Sequence, residues 1–91
     1  MATAPAASAL PSQCTKDMTF PVPLDMTVTA NVNLRETPGT GSTSLGILTK
    51  GTKFTSYCLA NKGGTNWEGG KVMSGANKGK WGWVAWDYVK D

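Results

Sequence analysis

The chain is cut into short pieces by turn signals. Pro38-Gly39, Gly41-Ser42, Lys50-Gly51, the stretch ANKGGTN and the stretch SGANKGK recur through it. Gly and Pro at such sites punctuate the backbone, and between them lie apolar runs too brief for a stable helix. Val28, Ala30, Val32 and Leu34 fall on alternate positions, with a break expected near Asn31. Alternation of this kind marks a strand with one buried face. Leu45–Leu48, Lys53–Cys58, Trp67–Val72 and Trp81–Ala85 read as further strands, with Gly69 and Gly70 marking a bulge or sharp twist in the fourth. Ala85–Tyr88 reads as a single 3₁₀ turn before Val89. No segment carries a 3.6-residue repeat. Five or six short strands with turns every 8–12 residues predict an all-β fold, a small barrel.

At 91 residues the chain holds one domain at most. A chain this short buries only about 60–65% of its unfolded surface, so extra staples are expected. Cys14 and Cys58 can be one disulfide or two free thiols. A disulfide is the favoured reading: it would close a loop of about 45 residues, worth at most about 4 kcal/mol, and would imply an oxidising compartment. Residues 1–13 read as a flexible leader poor in bulky apolar groups. They lack the basic and apolar regions of an intact signal peptide and read as the mature end left after one is removed. Residues 14–25 read as an extended arm, because Pro21 and Pro23 forbid helix. Residues 26–91 read as the barrel.

Composition excludes several functions. There is no histidine, which removes the commonest general base and metal ligand. Two cysteines alone make no zinc site, so no metal or other cofactor is expected. Net charge is +3, but the Lys and Arg residues form no dense cluster of the kind nucleic acid needs. No apolar run approaches the roughly 18 residues of a membrane span. A carboxylate pair, Glu68 with Asp87, is the nearest thing to catalytic equipment. So small a barrel offers little cleft to desolvate a substrate, and the chain is read as non-catalytic.

The ordered set Asn33-Leu34-Arg35, Pro38-Gly39, Leu45-Gly46-Ile47-Leu48, Lys50-Gly51-Thr52, Trp67, Gly82-Trp83-Val84 and Tyr88-Val89 resembles the bacterial SH3 (SH3b) domains. The segment from Trp67 to Val72 is longer than usual there, and Cys14 with its arm lies outside the pattern. The resemblance implies an SH3-like barrel and a secreted, extracellular binding module. Peptidoglycan or a cell-wall peptide is the implied partner; a protein or peptide partner is the alternative. Ala85 stands where the eukaryotic SH3 pattern has the proline that helps line its PxxP groove, which argues against polyproline recognition.

If Val84 faces the barrel interior, Gly82 faces it too, and Trp81, Trp83 and Ala85 face out. Leu34, Leu45, Leu48, Phe54, Val72 and Val89 complete the expected core. Trp83 is expected to pack under the arm or against a neighbouring strand. The resemblance implies that Trp67 and Tyr88 line the binding groove, half-exposed. Trp86 is expected to be exposed, stacking on ligand or touching the arm. Glu36, Thr40 and Ser42 are candidate polar contacts. Asp87 is read as a turn cap, with a hydrogen bond to a ligand amide as the alternative, Arg35 as a residue bonding loop carbonyls, and Lys71, Lys78 and Lys80 as a solvated hairpin.

Overall fold

The computed structural model describes Cys14 and residues 19–91; residues 1–13, expected to be a flexible leader, lie outside them. The strands are β1 (Thr19–Val28), β2 (Val32–Arg35), β3 (Ser44–Leu48), β4 (Lys53–Lys62), β5 (Thr65–Val72), β6 (Trp81–Ala85) and β7 (Val89–Lys90). A 3₁₀ turn, Trp86–Tyr88, links the last two. All pair antiparallel in one sheet of order β3-β2-β6-β5-β4-β1-β7. The fold is all-β and SH3-like. The strand count exceeds the expected five or six because the arm forms part of β1 and the two-residue β7 pairs with it. The expected arm–barrel boundary at residues 25 and 26 falls inside β1.

The sheet coils because one face must enclose a core. Met26, Val28, Leu34, Leu48, Phe54, Val72, Val84 and Val89 form that core, so every strand contributes at least one side chain. Each fully buried aliphatic or phenyl side chain contributes about 1.5–3 kcal/mol. Leu45, expected in this core, packs against it only half-buried. Gly70 and Gly82 sit on the same inner face, opposite each other across β5 and β6. A Cβ at Gly70 would lie 1.9 Å from the carbonyl oxygen of Thr55 on β4, so the backbones meet there as only glycine permits. The bulge expected at this glycine pair lies across the ladder, in β4, where the register shifts between Ser56 and Cys58.

That shift matters for the other face of the sheet. Past it Cys58 points outward, opposite Gly69, and joins Trp67 and Trp83 in a second buried cluster. The Cys14–Cys58 disulfide closes over this cluster, with a sequence separation of 44 residues. Trp83 is fully buried there. Its ring lies against Gly69, where a Cβ would approach within 2.9 Å. The tryptophan thus sits outside the barrel and under the arm's cysteine, as parity requires. Trp81 also faces outward, half-buried, with its ring centroid 5.2 Å from that of Tyr57.

Candidate binding groove

Three segments converge at one end of the barrel: the loop between β2 and β3, the β4–β5 turn, and the 3₁₀ turn. Arg35 shapes the first, donating from Nη1 to the Ser42 carbonyl at 2.9 Å. Ser42 Oγ accepts from the Thr37 N–H and pairs with the Thr37 hydroxyl. Arg35 therefore does the structural work expected of it, and Ser42 is committed within its own loop. The 3₁₀ turn is fixed where Thr29 N–H donates to the Tyr88 carbonyl at 2.8 Å.

Between these segments runs an open groove. One part, about 480 Å³, is bounded by Gly39, Thr40, Lys62, Thr65, Trp67 and Tyr88. A second part, about 170 Å³, continues past Asn31, Asn33 and Arg35 and shares Thr40, Trp67, Ala85 and Tyr88 with the first. Tyr88 stands at 41% exposure. Its phenol offers an apolar face with a polar tip. No described residue of β1 lines either part, so the described stretch of the arm leaves the groove open.

Trp67 departs from expectation. It lines the groove but is only 3% exposed, not half-exposed. Its cross-strand neighbours are Ala60 on β4 and Ala85 on β6, both too small to lift an indole off the sheet. The disulfide cluster closes its other side. Its Nε1–H is buried with no acceptor among the described residues. Leaving such a donor unpaired costs roughly 1–3 kcal/mol.

Of the other candidates, Thr40 is in the groove; Glu36 and Trp86 are not among its lining residues. Glu36 is exposed, its backbone N–H donating to Thr43 O. Trp86 is 50% exposed and shares a separate depression with Leu24 of β1. Asp87 does not cap the turn, since the N-cap position belongs to Ala85 and no side chain caps there; it lies inside the turn and lines the first part of the groove. Lys78 and Lys80 are exposed, as expected of a solvated hairpin, while Lys71 is half-buried. Lys71 Nζ lies 5.7 Å from the Trp81 ring centroid, and Lys80 Nζ donates to Leu45 O at 2.8 Å. Lys62, Thr65 and Asn31 also line the groove but carried no sequence signal beyond their turns, and Asn33, part of the Asn33-Leu34-Arg35 string, lines it from β2.

Glu68 is buried on the inner side of β5, 2% exposed, and Oε1 accepts from Ser56 Oγ at 2.5 Å. Burial pushes its carboxyl above the ordinary 4.5, and the Ser56 hydrogen bond partly counters this. Among the described residues, no group of three or more His, Cys, Asp or Glu is placed to hold a metal ion. No helix among them is long and apolar enough to cross a membrane.

The family described as bacterial SH3 domain matches residues 30–90. No curated protein and no solved structure matches the chain.

Proposed function

Since the chain belongs to the bacterial SH3 domain family, we propose that it is a secreted, non-catalytic module that holds a peptidoglycan stem or cross-bridge peptide in the groove beneath Tyr88. The observation that carries this reading is the convergence of Thr40, Trp67 and Tyr88 on one open groove. Its character fits the ligand. The groove is shallow, flanked by Gly39, Gly41 and Gly63, and edged by Asn, Thr and Lys side chains. An extended peptide of small residues can lie in it, with backbone amides meeting the polar rim and apolar faces meeting Tyr88. Trp67, only 3% exposed, forms the floor on which such a peptide would rest. The disulfide supports an oxidising, extracellular setting.

The test is sedimentation with insoluble peptidoglycan. Wild type pellets with it. Tyr88→Ala and Trp67→Phe stay in the supernatant while keeping the wild-type circular dichroism spectrum. Wild-type protein left wholly in the supernatant contradicts the reading. Recovery of one stoichiometric protein partner instead would favour a protein-interaction role.

A further inference from the structure

The 3₁₀ turn separates two depressions. Tyr88 borders the groove, whereas Trp86 lies over a second hollow of about 460 Å³. That hollow is walled by Leu24, Met26, Val89 and Trp86. Its size is within the usual range for a small-ligand site. Leu24 is partly exposed, and Trp86 shows half of its indole to solvent. The polar lining is Glu68, Asp87, Asp91 and Lys90. With the carboxylates ionised this is three negative charges against one positive, a local −2 on a chain whose net charge is +3.

Glu68 gives the hollow its chemistry. It is nine-tenths buried by a wide margin, yet it lines the depression. Ser56 is the one donor bonded to its carboxylate among the described residues, and it takes Oε1. Oε2 has no hydrogen bond among the described residues, and since Glu68 lines the depression it is the oxygen available to a ligand there. A buried carboxylate with one uncommitted oxygen is costly unless a donor or cation meets it. The carboxylates do not converge into a metal site. Their spread, beside an indole and aliphatic walls, suits a larger and partly apolar cation.

We propose that this hollow is a second binding site, which takes a primary ammonium carried on a short aliphatic stem, as in a lysine-type side chain. The ammonium donates to Glu68 Oε2, and the stem lies between Leu24 and the Trp86 indole. Asp87 and Asp91 add longer-range attraction, and Lys90 disfavours a second cation. A cation at the open oxygen also offsets the desolvation that raises the Glu68 carboxyl. The site adjoins the groove at Asp87, which lines both, but Glu68, Leu24, Met26 and Trp86 line it and not the groove, and it does not depend on what the groove holds.

The probe is n-pentylammonium chloride, titrated into the ¹⁵N-labelled chain and followed by amide shifts, with 1-pentanol and pentanoate as controls. A ligand this small is expected to bind in the millimolar range. Shifts are expected at Leu24, Met26, Glu68 and Trp86–Lys90, with neither control reproducing them. Glu68→Gln keeps the shape and the Ser56 hydrogen bond and is expected to weaken binding about tenfold or more. Trp86→Ala, at an exposed position that the fold does not need, is expected to weaken it about two- to fivefold. Equal binding of pentanol, unchanged affinity in both variants, shifts confined to the groove residues, or no saturable shift at all overturns the proposal.

Discussion

Removing the Cys14–Cys58 bond should cost this domain a large part of its stability. The bond spans 44 residues of separation. In the chain-entropy treatment, closing a loop of that length removes about 13 cal/mol/K from the unfolded ensemble, or about 4 kcal/mol at 25 °C. The bond also holds Cys14 against the cluster containing the fully buried Trp83 and the nearly buried Trp67. A small domain has roughly 5–15 kcal/mol in all. The Cys14→Ala/Cys58→Ala double variant should therefore lose about 3–4 kcal/mol, with an apparent Tm lower by at least about 12 °C. Urea unfolding followed by tryptophan fluorescence measures the first quantity, and calorimetry the second. The fluorescence should also redshift before the main transition, as water reaches Trp83. A loss below about 1 kcal/mol with an unchanged emission maximum would refute the view that the bond seals the outer cluster.

Gly70→Ala places a Cβ 1.9 Å from Thr55 O and should destabilise by about 3 kcal/mol or more, whereas Gly41→Ala, with nothing within 4 Å, should stay within about 0.5 kcal/mol; paired urea titrations check both. The raised Glu68 carboxyl makes the folded state bind the proton more tightly than the unfolded one. Its contribution to stability is therefore greatest below the ordinary 4.5 and falls as pH rises from there to the folded value. Glu68→Gln should remove that component from the stability–pH curve, leaving a smaller decline above pH 4.5 than in wild type. Tyr88→Ala, at an exposed position, should change stability by less than about 1 kcal/mol while abolishing sedimentation with peptidoglycan.

The barrel was legible in the sequence because its two strongest signals are local. Turn residues delimit the strands, and once the family resemblance sets Val84 inward, alternation along Trp81–Ala85 puts Trp83 outside. Once one side chain of a strand is assigned, the pleat assigns the rest. Trp67 was harder. Its burial depends on Ala60 and Ala85, which flank it only after β4, β5 and β6 pair, and on a β4 bulge that turns Cys58 outward. None of these is a property of the residues around Trp67 itself. The groove is legible in part for the same reason. Thr40 and Tyr88 stand on segments that the SH3b pattern names, whereas Lys62 and Thr65 reach the groove through the β4–β5 turn. Glu68 read as one member of a carboxylate pair with Asp87. Only the closed barrel puts it beneath Trp86 with Ser56 at one oxygen.

The account rests on Tyr88, Trp67 and Thr40 acting together as a docking surface. The most direct measurement is an amide-shift titration of the ¹⁵N-labelled chain with a soluble peptidoglycan stem peptide. Saturable shifts centred on residues 39–41, 62–67 and 85–88 are the predicted result. A titration that leaves those resonances unmoved would contradict it.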